Sequence, residues 1–197
     1  MLVFTGVGAQ VNPASKRALI VHVCAEADVD EATLQRAVRV ATHLMVTAGV
    51  NSTWRVCRGS EVSTQTAKDA EPDVVVLLMS RPVGTEPDEC GFAHRRTSSV
   101  GTAMISVQCV AAFTTRVARM STYRSHPLLA SGQSDDVVGV VIAHEVGHLL
   151  GLEHASKGVM RTRLDAEDII SFRSGRLRFT AQESAHLRAI WPSSRPN

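Results

Sequence analysis

Three histidines and a glutamate in the C-terminal part of the chain have the spacing of a metal centre. The stretch AHEVGHLLGLEHASKGVM contains His144, His148 and His154, with Glu145 directly after the first histidine. Residues four apart on a helix share one face, so His144 and His148 can present two ring nitrogens to one zinc ion at ~2.0–2.1 Å. Gly151 stands where the helix must turn for His154 to return as a third ligand, because glycine tolerates the left-handed conformation.

Three imidazole ligands predict a catalytic zinc site, because they leave the fourth tetrahedral position open for water. Zinc lowers the pKa of such a water towards ~7 and polarises a carbonyl group. Glu145 lies one step round the helix from His144. Its carboxylate can therefore reach the water without binding the metal, and we expect it to act as general base and then general acid. The implied reaction is hydrolysis of an amide bond, with one zinc ion per chain as the cofactor.

The sequence HEVGHLLGLEH resembles the H-E-x-x-H-x-x-G-x-x-H signature of the metzincin zinc peptidases at all five fixed positions. Those peptidases have a methionine turn downstream, and Met160, six residues after His154, fits it. The resemblance implies that Met160 is a structural floor beneath the metal, and that the chain is a zinc endopeptidase with a protein or peptide substrate. Arg161 follows Met160 where a tyrosine would identify some subfamilies, so no subfamily is indicated.

The resemblance also implies an edge strand that forms the upper rim of the cleft and pairs with an extended substrate. Strand addition of this kind gives main-chain affinity with little side-chain selectivity. The position that this strand would occupy is Val100 to Val107. Its predicted substrate-binding residues are Gly101, Thr102, Ala103, Met104 and Ile105.

Hydrophobic patterning predicts the elements that precede the site. The apolar run from Arg17 to Ala25 is typical of a buried strand, and STWRVC and DVVVLLMS predict two more strands. A helix that begins at Asp28 or Asp30 and ends at Gly49 is expected between the first two strands. Its apolar stripe comprises Leu34, Ala37, Val38, Ala41, Leu44, Met45 and Ala48.

Between the third strand and the metal site, the sequence predicts a loop, then a strand region, then the start of the metal-site helix. Arg81 to Ser99 is expected to be a loop, because it contains several prolines and glycines. Val100 to Phe113 is expected to form one long strand or two joined strands. Ser134 is expected to cap the metal-site helix, with Asp135 and Asp136 in its first turn, where the helix dipole favours anions.

After Met160 a loop is expected, followed by a last helix. Thr180 and Glu183 have the spacing of a capping box at the start of that helix. The predicted fold is therefore α/β (α+β mixed): a metzincin-like zincin fold, as the resemblance implies, with a mixed, twisted sheet, a backing helix, an active-site helix and a C-terminal helix. Residues 16–197 are predicted to form one catalytic domain. Residues 1–15 are predicted to be an N-terminal tail or a signal-peptide remnant.

Composition excludes several classes of function. The 197 residues are 44% hydrophobic and 20% charged with a net charge of +2, which is typical of a globular protein and argues against nucleic acid as a partner. No apolar run reaches the ~20 residues of a membrane-spanning helix. We expect a monomer.

The number of cysteines gives an indication of the cellular compartment. The even number of cysteines, Cys24, Cys57, Cys90 and Cys109, fits two disulfides in a secreted or periplasmic protein, and all three pairings are open. For Cys24, which lies in the first predicted strand, a buried free thiol is an alternative.

Other residue types leave alternatives open. Calcium could bind among Asp135, Asp136, Asp165, Glu167 and Asp168, although no EF-hand spacing is present and helix caps explain them more simply. His22 and His43 fall on core patterns and are expected to be structural.

The alternative functions are a non-catalytic zinc-binding module that binds peptides, and a zinc hydrolase that acts on a non-protein amide.

Overall fold

A computed structural model describes residues 18–26, 28–58, 73–81, 83, 89–95, 101–120, 126–130 and 134–191. Residues 1–15, predicted to be a tail or a signal-peptide remnant, lie outside the described residues. The strands in the described part are β1 Leu19–Ala25, β2 Ser52–Arg58, β3 Val74–Met79, β4 Gly91–Arg95 and β5 Gly101–Ser106. The helices there are α1 Glu31–Thr47, α2 Val107–Arg119, α3 Pro127–Ala130, α4 Asp135–Leu149, α5 Ala166–Arg173 and α6 Ala181–Ile190.

The described strands form one sheet in the order β2-β1-β3-β5-β4. Neighbouring strands are parallel except for β4, which pairs antiparallel with β5 at the edge of the sheet. The mixed sheet predicted from the sequence is confirmed. The apolar run of β3 is buried because this strand lies in the middle of the sheet.

Helix α1 forms as predicted. The Asp30 carboxylate accepts the backbone N–H of Thr33 at 2.8 Å and caps the helix. Gly49 has a φ of 85° and ends it. The predicted apolar stripe is buried, except that Val38 is half-buried. The stripe packs into the same core as the β1 side chains Leu19, Val21 and Val23.

Helix α4 packs against α1 on one side and against β4 and β5 on the other. A Cβ atom on Gly139 would lie 2.6 Å from the Ala37 carbonyl oxygen of α1, so only glycine allows the two helices to approach this closely. Ser134 is the N-cap residue, but its hydroxyl makes no capping bond to the helix backbone. Asp135 and Asp136 occupy the first turn as predicted.

The prediction of strand from Val100 to Phe113 is wrong in its second half. Strand β5 ends at Ser106, whose Oγ accepts the backbone N–H of Cys109 at 3.1 Å and starts α2. In α2 the buried residues Val110, Thr114 and Val117 recur at helical spacing. A short apolar run is compatible with the periodicity of either a strand or a helix. Here the Ser106 cap favours the helix.

The prediction that Gly101 to Ile105 form an edge strand is also wrong. Both sides of β5 are paired, with β3 on one side and β4 on the other, so no backbone groups remain there for a substrate. The edge belongs to β4, which lies within the segment that was predicted to be a loop.

Past Met160 the expected loop contains helix α5. Asp165 and Asp168 form a capping box in which each carboxylate accepts a backbone N–H of the other residue. The D-x-x-D spacing in the sequence is the signal for the start of this helix. The predicted capping box of Thr180 and Glu183 is present at the start of α6.

Two disulfides connect elements of the sheet and its neighbours. Cys24–Cys57 joins β1 to β2, and Cys90–Cys109 joins the start of β4 to α2. The free-thiol alternative for Cys24 is therefore wrong. His22 is buried as expected, whereas His43 is exposed on α1 because it lies off the apolar stripe. Within the described ranges, none of the helices has the length and apolarity needed to cross a membrane.

Candidate metal centre

The three predicted histidines converge on one point. The Nε2 atom of His148 lies 3.0 Å from Nε2 of His144 and 3.1 Å from Nε2 of His154. Nitrogens bound at ~2.0–2.1 Å to one tetrahedral ion are about 3.3 Å apart, so the spacing fits a single small cation. Within the described part of the chain, these histidines are the one cluster of three or more potential metal ligands.

Hydrogen bonds on the far side of two rings fix which nitrogen faces the cluster. His144 Nδ1 lies 2.8 Å from the Val159 carbonyl oxygen, and His148 Nδ1 lies 2.9 Å from that of Leu152. A carbonyl oxygen can only accept, so each Nδ1 donates and each Nε2 keeps its lone pair. Backbone carbonyls in this role orient metal-binding histidines, and the donor set fits zinc.

Electrostatics favour the neutral form of these rings. Burial, together with the neighbouring rings of His148 and His154, lowers the pKa of His144 to about 4, although the Val159 hydrogen bond opposes the decrease. Burial and His148 also lower the pKa of the more exposed His154. Neutral imidazole is the form that binds a metal.

The turn after α4 brings the third histidine back. Gly151 has a φ of 88°, as its predicted role requires. The Leu152 N–H donates to the Gly147 carbonyl at 2.9 Å, which closes the end of the helix. His154 therefore approaches from a different direction than His144 and His148.

Met160 lies directly beneath this turn and is fully buried. A Cβ atom on Gly147 would lie 2.5 Å from the Met160 sulfur, so the thioether fills the space next to the helix backbone. The Ala155 N–H donates to the Met160 carbonyl at 2.8 Å, which ties the segment after His154 to the methionine turn. The same turn supplies the Val159 carbonyl that holds His144.

Glu145 lies beside the histidine cluster and is only 6% exposed. Burial raises the pKa of its carboxyl group to about 7, and the negative charge of Glu89 adds to the increase. A carboxyl group with a pKa near neutrality can both accept and return a proton at physiological pH.

The site opens into a cleft of about 840 Å³. Its walls come from the start of β4, one face of α2, the exposed face of α4 and the segment after Met160. The lining residues are Glu89, Cys90, Gly91, Phe92, Ala93, Val110, Phe113, Arg116, Val137, Val141, His144, Glu145, His148, His154, Arg161, Thr162, Arg163 and Leu164.

Sequence reasoning missed the β4 and α2 walls because it assigned both segments to other structures. The helical spacing of Val110, Thr114 and Val117 could have revealed α2. The predicted substrate residues Gly101 to Ile105 do not line the cleft, since they belong to the interior strand β5.

Three of the acidic residues considered for calcium, Asp135, Asp165 and Asp168, have other contacts. Arg161 Nη1 donates to Asp165 at 2.6 Å and to Asp168 at 2.9 Å. Although burial opposes it, hydrogen bonds from the Asp168 backbone and Arg161 lower the pKa of Asp165, whereas burial raises the pKa of Asp168. Asp135 lies 3.5 Å from Arg36 in an ion pair. These contacts place Asp165 and Asp168 in a helix cap with an arginine partner and Asp135 in an ion pair.

Comparison with known proteins gives the following similarities. The family model described as metallo-peptidase family M12B, reprolysin-like, matches residues 33–155. A search of curated proteins finds no sequence match. The crystal structure of archaemetzincin from Methanopyrus kandleri is similar, with a TM-score of 0.55 and 17% identity over 90% of this chain and 97% of that chain. The GM1-bound form of the ECX AB5 holotoxin has a TM-score of 0.43 and 15% identity, over 86% and 79% of the two chains.

Proposed function

The chain belongs to the reprolysin-like M12B metallopeptidases and has a metzincin-like zincin fold, and we propose that it is a zinc-dependent endopeptidase. One observation carries this proposal. Three imidazole Nε2 atoms converge beside a buried glutamate at the wall of a cleft of about 840 Å³. The histidines support binding of an ion, and the volume of the cleft supports a polypeptide as the substrate.

His144, His148 and His154 would hold one zinc ion per chain through their Nε2 atoms. When bound, zinc supplies a Lewis acid for the scissile carbonyl group and an activated water. The Val159 and Leu152 carbonyls keep the rings of His144 and His148 in the orientation that this requires. Met160 supports the ligand-bearing turn from below, in the structural role proposed for it.

Glu145 would move the protons of the reaction. Its carboxylate would accept a proton from the attacking water and deliver it to the departing amine nitrogen. The buried setting that raises its pKa to about 7 supports both halves of this task, because either form is accessible near neutral pH.

The substrate would lie along β4 in an extended conformation. Among the described strands β4 is the outermost and pairs on one side only, and Gly91, Phe92 and Ala93 line the cleft that contains the histidines. Addition of a substrate strand at this edge would bind main-chain groups and leave side-chain selectivity to the opposite walls. The substrate is therefore a protein or peptide without folded structure at the cleavage site.

The disulfides are compatible with a secreted or periplasmic location, which we propose for the protein. We also propose that residues 16–197 form one catalytic domain and that the protein is a monomer.

The test uses a quenched fluorescent casein, denatured before use, and the purified protein with bound metal measured on the same sample. We expect cleavage that a zinc chelator abolishes and added zinc restores, with one zinc per chain. Mass spectrometry of the products should show cuts inside the polypeptide, as an endopeptidase requires.

Glu145→Gln separates catalysis from binding. The variant should retain zinc and cleave about 10²–10⁴-fold more slowly, since only the proton-transfer group is lost. Glu153→Gln is the matched control, because Glu153 is an exposed glutamate in the same stretch and should have wild-type activity. A wild-type protein that binds zinc but cleaves no peptide would instead support a zinc-dependent peptide-binding module or a hydrolase of non-protein amides.

A further inference from the structure

Gly91 lies closer to Glu145 than any residue with a side chain could. It is the first residue of β4 and pairs with Ile105 of β5. A Cβ atom at this position would lie 2.4 Å from Oε1, 2.9 Å from Cδ and 3.0 Å from Cγ of Glu145. Non-bonded carbon atoms pack best at ~3.5–4.0 Å, so the bare backbone of Gly91 covers the end of the Glu145 side chain.

The strand that carries Gly91 is held in place from several sides. Its neighbour Cys90 is bonded to Cys109 of α2, and the Cys90 carbonyl accepts the Ser106 N–H at 2.9 Å. Antiparallel pairing with β5 continues along β4, and α4 packs against the strand. The Glu145 side chain has rotatable bonds and an open cleft beside it. When atoms are added at residue 91, the carboxylate is therefore the part that moves.

We infer that Gly91 is the positioning residue for Glu145: the backbone of β4 sets where the carboxylate stands relative to the three imidazoles. This inference rests on the proposed function, in which Glu145 transfers the protons. It also explains why the start of the strand is bonded to α2. If β4 moved when substrate bound, the Glu145 carboxylate that packs against it would move as well.

The direct test is Gly91→Ala. The added methyl group should rotate the carboxylate out of position and lower kcat about a hundredfold, as a displacement of about 1 Å does to an aligned catalytic group. Zinc content should stay near the wild-type value, because the histidines are untouched. The loss should fall mainly on kcat rather than on KM, because the nearest atoms to the added methyl group are those of Glu145. Gly175→Ala is the control. Its φ of 71° makes alanine strained there, but nothing lies within 4 Å, so it should lower stability while kcat stays unchanged.

A double-mutant cycle shows whether the loss passes through Glu145. Glu145→Asp shortens the side chain by one methylene group and removes the closest contact, that with Oε1 at 2.4 Å. In this background, Gly91→Ala should cause a clearly smaller additional loss of kcat than in the wild type, although the background activity is itself reduced. Equal losses in both backgrounds, or wild-type kcat in Gly91→Ala, would overturn the inference.

Thermal unfolding of the same four proteins tests the contact without using activity. Gly91→Ala should lower Tm more when residue 145 is glutamate than when it is aspartate, and equal decreases would overturn the inference. A wild-type protein without peptidase activity would contradict the proposed function, while the Tm measurements would still test the inference about Gly91.

If Gly91→Ala does not fold, the Cys90→Ala/Cys109→Ala variant loosens the strand without adding atoms. It should lower kcat with Glu145 and not with Asp at that position; unchanged kcat would overturn the inference.

Discussion

At the scale of single residues, the metal centre depends on backbone groups as much as on imidazoles. The Val159 and Leu152 carbonyls select the nitrogen that each of His144 and His148 would present to the proposed zinc ion. These carbonyls belong to the chain beyond α4, whose path is set by the turn at Gly151. One glycine therefore influences both the third ligand and the orientation of the second.

Gly151→Ala tests this dependence. With a φ of 88°, the position should cost an alanine about 1–2 kcal/mol, and relief of that strain would displace His154. We expect a lower free energy of unfolding together with weaker zinc binding, measured by competition with a coloured chelator. Gly175→Ala has comparable strain at the end of α5 and should bind zinc normally. Equal zinc affinity in the two variants would show that the turn does not position His154.

At the scale of elements, close contact between α1 and α4 sets the orientation of the metal-site helix. The nearest atoms to a Cβ on Gly139 are Val40 Cβ at 2.5 Å and the Ala37 carbonyl oxygen at 2.6 Å, so part of the obstacle is backbone. The nearest atom to a Cβ on Gly147 is the Met160 sulfur at 2.5 Å, which lies near the end of a flexible side chain. Gly139 and Gly147 of α4 therefore differ in how easily the neighbouring atoms can move to make room for a methyl group.

We expect Gly139→Ala to destabilise the protein by about 1–3 kcal/mol, because α1 must move away from α4. This loss should exceed the gain of up to ~1 kcal/mol that alanine gives in a helix interior. Gly147→Ala should cost less, since Met160 can change rotamer. Urea unfolding of both variants measures the difference. A Gly139→Ala protein more stable than the wild type would contradict the close crossing.

The cap of α1 should give stability a defined pH dependence. Hydrogen bonds from the Thr33 side chain and backbone hold the pKa of Asp30 below its ordinary value. A carboxylate with a lowered folded-state pKa stabilises the fold above the pKa of the unfolded chain, about 3.9, and this contribution disappears as the pH falls through the folded-state pKa. Asp30→Asn keeps a capping side chain that does not titrate. The Tm difference between the two proteins should be constant from about pH 7 to 5 and shrink below about pH 4; a difference that grows on acidification would refute the assignment.

At the scale of the whole molecule, the metal site lies beside the hydrophobic core and does not replace it. The core joins the sheet, α1 and α4 through buried aliphatic side chains, whereas the ligands span only residues 144–154. The cleft, by contrast, needs β4, α2, α4 and the segment after Met160 together. We therefore expect that the protein folds without the ion, whereas the proposed catalysis would require both the ion and the assembled walls.

Removal of zinc should lower Tm and leave the far-ultraviolet circular dichroism of the folded protein unchanged. A ligand at a hundred times its Kd stabilises a protein by about 2.7 kcal/mol, so Tm should rise with the free zinc concentration. Calorimetry of the metal-free protein in a zinc-buffered series measures this. Loss of helical signal on chelation would show instead that the ion is part of the folding core.

The sequence alone determined the zinc ligands as candidates, together with α1, α4, α6 and the first three strands. These features depend on short-range spacing: histidines four residues apart on a helix, a cap such as Asp30, and a glycine with positive φ such as Gly49 or Gly151. Only the tertiary structure decided that β4 is the edge strand, that α2 forms a wall of the cleft, and which cysteines pair. Pairing partners and contacts such as Gly91 with Glu145 join residues far apart in the chain, and no local pattern specifies which distant backbone will occupy the space beside them.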